Sequence, residues 1–364
     1  MTAASTTLSF FFSRFFVPPL SFTGPSSAKM RSLFFALAAP FLPLAASIPH
    51  RIQDDADPFC PRPVETRPIY QFPNGTWAEN IAVRTNGNIL VTVLSEPAIY
   101  EVNPYKKPVT SRLVHRFPEY SSLFGIAEVA TDVFAVAMGN FSLRSAPKPG
   151  SWAVWKVDLN DDEASVSKVA SIAEAELLNG MTVLDRHTQT ILCADSVLGV
   201  VFHVNTVTGA YHVAMQDDAF KPPSGTIFPL GINGIRYQRP YMYFTNTFAQ
   251  DFGRVPVNCI DGTATGPVEL VNSDVGYDLD DFARDKRGNA YISAGYTSDI
   301  VCVGNNGTAT SVAGGPDQKT ILGPTSMAWG QTKADKNMLY ISTSGDKSSN
   351  TGLGGQVVAL VMPQ

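Results

Sequence analysis

Short apolar runs alternate with turn residues along the chain from residue 69 onward. In the first clear unit, an Asn-Gly pair at 86–87 separates two such runs, and this pattern predicts a β-hairpin. Two further runs complete four antiparallel strands in about 45 residues, which is typical of one blade of a β-propeller. The four runs are 80–84, 89–93, 99–104 and 111–117.

The same pattern returns along the rest of the chain. One residue just before the first strand marks each unit, and we call these positions the anchor residues. They are Glu79, Phe124, Asn179, Asn233, Asp280 and Thr325. They recur at intervals of 45–55 residues, as propeller blades do. The sequence therefore predicts an all-β fold, a six-bladed β-propeller over residues 69–364. Two β-sandwich domains are the alternative, but the spacing is regular and no linker interrupts it.

The two ends of the propeller segment also carry strand patterns. Residues 69–72 and 356–362 are both short, mostly apolar runs that are predicted to form strands. If they join one blade, the two ends of the chain close the ring and hide its sheet edges. Only residues 170–178 are a candidate for a short helix, within a loop.

Residues 1–49 have the pattern of a presequence. Met30 and a following arginine precede an apolar run with a small-residue exit, as in a secretory signal peptide. Pro40 and Pro43 interrupt this run, which is shorter than the ~20 residues of a membrane span. Translation from Met30, a bipartite signal and a retained signal anchor stay open. Residues 50–68 are predicted to link the presequence to the propeller.

Three glycosylation sequons agree with a secretory route, to secretion or to the lumen of an endomembrane compartment. Their asparagines are Asn74, Asn140 and Asn306. The four cysteines allow three pairings, which the sequence leaves open. They are Cys60, Cys193, Cys259 and Cys302. Cys193 lies in an apolar run and is predicted to be a small buried residue.

Composition narrows the class of partner. The chain has 27 basic and 32 acidic residues and a net charge of −5, so it lacks the basic surplus of nucleic-acid-binding proteins. Its 28 Gly and 26 Pro fit many turns, and its 16 % charged residues fit strands buried between blades. No stable membrane span is predicted after the presequence. A small molecule is the expected partner, and the oligomeric state is open.

The anchor residues carry the candidate chemistry, because the start of each innermost strand faces the central channel of a propeller. Four of them are Glu79, Asn179, Asn233 and Asp280. Two carboxylates and two amide oxygens suit Ca²⁺ or another divalent cation. A polar channel without metal is the alternative. Asp281 would take the place of Asp280 if the strand register moved by one residue.

Three phrases around the anchors resemble the gluconolactonase and senescence-marker-like family of six-bladed propellers. They are Trp77-Ala78-Glu79-Asn80, Asn233-Gly234-Ile235 and Asp280-Asp281-Phe282-Ala283. The resemblance covers about residues 69–362 and implies a divalent cation held by Glu79, Asn233 and Asp280. It also implies that Asn179 contacts metal-site water or substrate. Residues 79–81 depart from the family, because Glu-Asn-Ile replaces the usual Glu-Gly-Pro.

The run from Phe72 to Asn88 is similar to a fungal secretory branch of this fold. Some members of that branch are hetero-Diels–Alderases, which join a tropolone-type quinone methide to a humulene-type sesquiterpene. The resemblance implies a pericyclase of meroterpenoid secondary metabolism that acts in the central cavity, and it transfers no catalytic residue. The alternatives are a metal-dependent lactonase or esterase and a non-catalytic binding protein.

A cycloaddition needs no nucleophile, only proximity, an apolar cavity and a hydrogen-bond donor on the heterodiene oxygen. The candidates for the cavity wall lie near the anchors, with blade packing as the alternative for each. They are Trp77, Asn179, Tyr237 and Tyr277. Hydrolysis would instead need a general base. Four possible bases are predicted to lie in outer strands or turns: His115, His187, His203 and His212.

Overall fold

The computed structural model describes residues 60–142, 147–226, 228–318, 320–346 and 352–363. Their strands form six antiparallel sheets of four strands each. The predicted all-β, six-bladed propeller is therefore confirmed. Within the described residues, the helical content is one 3₁₀ turn, Asp218–Phe220. The predicted presequence lies outside them.

The strands run in chain order from the inside of each blade to its outer edge. The first strand, β1 (Glu65–Gln71), belongs to the last blade. Blade 1 consists of β2 (Ala78–Val83), β3 (Ile89–Val93), β4 (Ala98–Asn103) and β5 (Thr110–Arg116). Blade 2 consists of β6 (Ser122–Ala130), β7 (Val133–Gly139), β8 (Ala153–Asp158) and β9 (Ser165–Ser171). Blade 3 consists of β10 (Leu178–Asp185), β11 (Thr190–Asp195), β12 (Val200–Asn205) and β13 (Tyr211–Gln216).

The second half of the ring repeats this order. Blade 4 consists of β14 (Ile232–Gln238), β15 (Tyr241–Asn246), β16 (Asp251–Pro256) and β17 (Glu269–Asn272). Blade 5 consists of β18 (Leu279–Arg284), β19 (Ala290–Ala294), β20 (Asp299–Val303) and β21 (Ala309–Gly314). Blade 6 consists of β22 (Pro324–Trp329), β23 (Met338–Thr343) and β24 (Gln356–Val361), with β1 as its outermost strand.

The two ends of the propeller segment close the ring. Strand β1 pairs antiparallel with β24, which confirms the predicted closure and covers an edge that would otherwise be open. Strand β1 begins at Glu65, inside the segment predicted to be a linker. Just before it, Cys60 forms a disulfide with Cys302 of β20 in blade 5. Cys193 is a buried free thiol, as predicted.

The predicted short helix at 170–178 is wrong. Strand β9 ends at Ser171, β10 begins at Leu178, and a turn connects them. The carboxylate of Asp195 accepts hydrogen bonds from two N–H groups of this turn. Because those donors are satisfied and Ile172 is buried in the core, the segment needs no helical hydrogen bonds.

Every innermost strand has an irregularity in its pairing at the same place. In β2, Ala78 pairs with Val93 and Asn80 pairs with Thr92, so Glu79 falls outside the regular ladder. The pairing of the other five innermost strands is irregular at the corresponding anchor positions. A bulge bends a strand and re-aims the side chain at the bulge. The backbone therefore singles out the anchor positions in all six blades.

The connections at the anchor end of the blades include long loops. Residues 140–152, 217–231 and 344–355 connect strands there, whereas hairpin turns at the other end are as short as 131–132 and 239–240. Long loops on a rigid scaffold are frequent places for binding sites. We call this end of the propeller the anchor mouth.

Candidate functional site

The structure places the anchor residues at matched positions of the ring. Five of them are the second residue of their innermost strand, and Phe124 is the third residue of the longer strand β6. Glu79, Asn179 and Asn233 are buried, and Asp280 is half-buried. The two carboxylates and two amides that the sequence singles out thus lie at the start of blades 1, 3, 4 and 5.

The two asparagine anchors are held in the same way. The side-chain amide of Asn179 donates to Ser196 Oγ at 3.1 Å, and that of Asn233 donates to Thr247 Oγ1 at 3.0 Å. Ser196 and Thr247 each directly follow the second strand of their blade. Ser196 also donates to the carbonyl of Ile232 in the next blade. These bonds fix both amides and connect blade 3 to blade 4.

Asn233 has an unsatisfied polar atom. Its side chain is 4 % exposed, and its Oδ1 has no hydrogen-bond partner within the described part of the chain. A hydroxyl can donate or accept, so the contact with Thr247 lets Asn233 present either its oxygen or its NH₂ group. A buried polar atom without a partner costs about 1–3 kcal/mol. A ligand that pairs with Asn233 would recover that free energy.

Trp77 orients the carboxylate of Glu79. Its indole Nε1 donates to Glu79 Oε2 at 2.7 Å, a charge-assisted hydrogen bond. The half-buried Trp77 ring packs against the same core cluster that contains Phe124 and Trp152. One residue thus positions an anchor carboxylate and contributes apolar surface beside it.

Aromatic side chains pack together at the anchor end of blades 1–3. Phe124 lies 5.6 Å from Phe141 and 5.3 Å from Trp152, measured between ring centroids, and Phe141 lies 5.8 Å from Phe228. Together with Trp77 they form what we call the aromatic wall: Trp77, Phe124, Phe141, Trp152 and Phe228. Phe124, Phe141 and Trp152 are buried in the core, and only the half-buried Trp77 and Phe228 leave apolar surface exposed.

The remaining two cavity candidates lie at different ends of the propeller. Tyr277 is 46 % exposed and lies at the anchor mouth, in the loop before β18. Tyr237 is near the far end of β14, about 13 Å from Asn233 at a rise of ~3.3 Å per residue. The structure does not bring Tyr237 to the anchor mouth, because the extended strand carries it away.

A buried network lies one residue deeper than the anchors. Asp281 Oδ2 accepts hydrogen bonds from Arg236 at 2.6 Å, Ser326 at 2.8 Å and Asn80 at 3.1 Å. We call these four residues the channel network. Asp281 is 1 % exposed, so its carboxylate is committed to the fold and Asp280 keeps the anchor position. Sequence reasoning missed Arg236 and Ser326; their only signal was the position just beyond an anchor, or two residues farther.

Whether the anchor mouth can bind a cation depends on which oxygen ligands its residues provide. Within the described residues, no three His, Cys, Asp or Glu side chains group together as metal ligands. The predicted set contains two residues of these types, Glu79 and Asp280, and two amides. Carboxylate and amide oxygens are ligands that Ca²⁺ accepts, and the buried Oδ1 of Asn233 has no hydrogen-bond partner among the described residues. These residues therefore fit a hard divalent cation.

The histidines lie away from the innermost strands, as predicted. His115 is in β5, His187 follows β10, His203 is in β12 and His212 is in β13. Burial lowers the pKa of His203, and the neighbouring His212, stacked 4.8 Å away between ring centroids, lowers it further. These four imidazoles therefore lie on outer strands or in turns, away from the channel.

Two cavities lie outside the channel. One of about 190 Å³ lies between blades 4 and 5 and is lined by Tyr243, Arg254 and Arg284, among others. The other, of about 360 Å³, lies at the rim of blade 2 beside Trp152 and Lys168. Their lining residues do not include Glu79, Asn179, Asn233 or Asp280.

The sequon asparagines differ in exposure. Asn74 and Asn306 are exposed, and Asn140 is half-buried. No helix in the described part of the chain has the length and apolarity needed to cross a membrane.

Comparison with known proteins identifies proteins that are similar to this chain. No family model matches the chain. The chain is 29 % identical over 316 residues to the protein named "Putative hetero-Diels-Alderase" of Phoma sp, covering 77 % of this chain and 87 % of that protein. It is 24 % identical over 320 residues to "Putative hetero-Diels-Alderase asR5" of Sarocladium schorii, covering 79 % and 80 %.

Among solved structures, the chain is similar to regucalcin of Agrobacterium tumefaciens, which is described as a calcium-binding protein. The TM-score is 0.58 at 15 % sequence identity, over 82 % of this chain and 94 % of that one. This likeness concerns the fold alone. The chain is thus a six-bladed β-propeller that resembles regucalcin in fold and has homologues named for hetero-Diels–Alderase activity.

Proposed function

We propose that this protein is a hetero-Diels–Alderase of fungal secondary metabolism. It joins a tropolone-type quinone methide to a humulene-type sesquiterpene at the anchor mouth. The observation that carries the proposal is the similarity to two proteins of that name over 77 % and 79 % of this chain. The geometry of the mouth supports it, because apolar and polar surfaces lie at one end of the channel.

The aromatic wall supplies the surface for the alkene partner. Trp77 and Phe228 are half-buried and pack against the buried core cluster, so an apolar chain can contact their exposed faces without reorganising the wall. Holding two reactants in near-attack geometry can contribute up to about 7–11 kcal/mol. The wall therefore acts by orientation and by excluding water rather than by covalent chemistry.

Asn233 supplies the polar contact to the heterodiene. Its amide has hydrogen-bonding capacity that the described residues leave unused. When the side chain presents its NH₂ group, that group donates to the carbonyl oxygen of the quinone methide, where negative charge develops. A fixed donor of this kind contributes about 3 kcal/mol to the transition state.

A divalent cation fits the same mouth. Glu79, Asn233 and Asp280 would hold it, with Asn179 beside it, and Trp77 keeps the Glu79 carboxylate oriented. A bound cation would polarise a substrate carbonyl as a Lewis acid. The chain's own contribution is to position oxygen ligands on three different blades.

The direct test is product formation. Purified protein is mixed with a tropolone quinone-methide precursor and humulene, and the cycloadduct is measured by chiral liquid chromatography. Asn233→Ala should lower kcat about 100-fold, the usual loss for one such donor. Tyr237→Phe, at the far end of the same strand, should leave kcat unchanged. Absence of enzyme-dependent cycloadduct would refute the proposal.

Metal-dependent lactone hydrolysis is the second candidate. Two carboxylates at matched anchor positions, with the unpaired oxygen of Asn233, favour it. Chelator-sensitive turnover of a lactone panel without cycloadduct would replace the first proposal with this one. Independently, Glu79→Gln and Asp280→Asn should each abolish Ca²⁺ binding in calorimetry. Unchanged Ca²⁺ affinity in both variants would rule out the anchor site.

We also propose that the protein matures in the secretory pathway. The disulfide between Cys60 and Cys302 supports this, since disulfides form and persist in oxidising compartments. Asn74 and Asn306 are exposed and open to glycosylation. Treating protein from its native host with an endoglycosidase should lower its mass. An unchanged mass would contradict glycosylation of these sequons.

A further inference from the structure

Three aromatic side chains form a separate feature of the anchor mouth, on blades 4 and 5. We call Phe248, Tyr277 and Tyr296 the aromatic platform. The ring of Tyr277 lies 5.8 Å from that of Phe248 and 5.5 Å from that of Tyr296. Tyr277 is 46 % exposed and Tyr296 is 76 % exposed. Unlike the aromatic wall, the platform faces solvent.

Backbone hydrogen bonds hold the three loops of the platform together. The N–H of Val275 donates to the carbonyl of Gln250, and the N–H of Gly295 donates to the carbonyl of Asp278, at 3.1 and 3.0 Å. The loop that carries Tyr277 is therefore tied to the turns that carry Phe248 and Tyr296. The rings of Tyr277 and Tyr296 are exposed, but the backbone that presents them is constrained.

Each platform residue lies within two residues of a non-glycine residue with positive φ. Gln250, Asp278 and Ser298 have φ values of +64°, +60° and +55°. For residues other than glycine this region is unfavourable, because the Cβ atom comes too close to the following carbonyl oxygen. Such conformations persist where surrounding contacts enforce them and are frequent at ligand sites. Three such backbone conformations therefore occur in the three loops that carry the platform rings.

Hydrogen bonds through Thr247 connect the platform to the candidate site. Asn233 donates to Thr247 at 3.0 Å, and Thr247 directly precedes Phe248. The carbonyl of Thr247 also accepts from the N–H of Leu279, next to Asp280. The platform and two anchors therefore belong to one hydrogen-bonded unit.

We propose that the aromatic platform is the subsite for the planar conjugated ring of the substrate, the tropolone-type half. The ring stacks on Tyr277 between Phe248 and Tyr296, beside the amide of Asn233, while the aromatic wall takes the apolar partner. Aromatic faces prefer offset or edgewise contact with other flat rings. The identity of this ring rests on the function proposed above; the preference for a flat ring does not.

Binding of tropolone itself tests the subsite without any reaction. Calorimetric titrations are done with EDTA present, because tropolone chelates divalent cations. Tyr277→Leu should weaken tropolone binding about 10-fold, and Tyr296→Leu should weaken it several-fold, as expected for lost aromatic contacts. Tyr296→Phe keeps the ring and should bind like the unmodified protein. Ile260→Ala, an exposed apolar residue beyond the end of β16, serves as the distant control.

Two results would overturn the subsite. One is tropolone affinity in Tyr277→Leu and Tyr296→Leu equal to that of the unmodified protein. The other is that the unmodified protein binds tropolone no better than cycloheptanone, which has no planar conjugated ring. Cycloadduct assays separate this inference from the proposed function. Platform-dependent tropolone binding without cycloadduct refutes only the function, and cycloadduct formation with unchanged KM in both leucine variants refutes only the platform.

Discussion

The two halves of the inner ring solve the same packing problem in different ways. One residue deeper than each anchor, blades 2, 3 and 4 carry glycine, and blades 5, 6 and 1 carry polar side chains. The first set, which we call the glycine half, is Gly125, Gly180 and Gly234; the second, the polar half, is Asp281, Ser326 and Asn80. All six residues occupy corresponding positions in otherwise similar blades.

In the glycine half, neighbouring backbones come into direct contact. A Cβ atom added at Gly125 or Gly180 would overlap the backbone oxygen of the next blade's asparagine anchor, and one at Gly234 would lie 2.7 Å from the Cα of Asp281. In the polar half, side chains of the channel network fill the same space. Glycine is required wherever two strands approach this closely.

The residue that follows each anchor correlates with the chemical type of the anchor. The aromatic and amide anchors, Phe124, Asn179 and Asn233, precede the three glycines, whereas Glu79 and Asp280 precede polar residues of the network. Backbone contact thus fixes the part of the mouth where the aromatic and amide anchors lie. The carboxylates lie above a network that already contains a compensated charge.

The largest expected effect is in the polar half. Asp281→Ala leaves the half-buried Arg236 without its carboxylate and should lower the free energy of unfolding by about 3–5 kcal/mol. Urea denaturation measures the change. Glu269→Ala is the matched control, because its ion pair with Arg254 is exposed and should contribute about 1 kcal/mol or less. Equal losses in both variants would show that the channel network is not what stabilises this half.

The next effect is in the glycine half. Gly180→Ala forces a methyl group against the backbone of Asn233 and should cost about 1–3 kcal/mol through overpacking. It should also shift the Asn233 amide and raise KM in the cycloaddition assay. Gly295→Ala is the control, since the nearest atom is the end of the Asp278 side chain, at 3.0 Å. If Gly180→Ala lowers the free energy of unfolding no more than Gly295→Ala does, close backbone contact does not distinguish the glycine half.

The sequence predicts the repeat well because each blade begins with the same local chemistry. Apolar alternation and turn residues are local signals, so blade number, anchor positions and ring closure follow from them. The irregular pairing at each anchor was not predicted, yet it places Glu79 outside the regular ladder. Counting from the repeat was enough to find the position, and the backbone geometry explains it.

Contacts across the channel could not be predicted in this way. Arg236 reaches Asp281 from another blade, and no local pattern links the two residues. Tyr237 lies near Asn233 in sequence but far from it along an extended strand. The pairing of Cys60 with Cys302 also depends on how the first strand docks in the last blade. For the ion pair and the disulfide, the missing quantity is a distance between blades, which periodicity does not contain.

The smallest expected effect is at the interfaces between neighbouring blades, which we call seams, and two of them can be compared. Thr245 Oγ1 accepts from the N–H of Gly234 at 3.0 Å and donates to the carbonyl of Asp280 at 2.8 Å, so it joins the glycine half to the polar half. Ser293 occupies the corresponding position in blade 5. Its buried hydroxyl has no partner within the described residues.

Thr245→Val should therefore lower the free energy of unfolding by about 1–2 kcal/mol, because it leaves a buried N–H and a carbonyl without their partner. Ser293→Ala should change it by about 0.5 kcal/mol or less, or raise it, since the hydroxyl is buried without compensation. Urea denaturation of both variants under one condition makes the comparison. If Ser293→Ala costs as much as Thr245→Val, a buried water bonds the Ser293 hydroxyl, and the seam inside the polar half is bridged as the other one is.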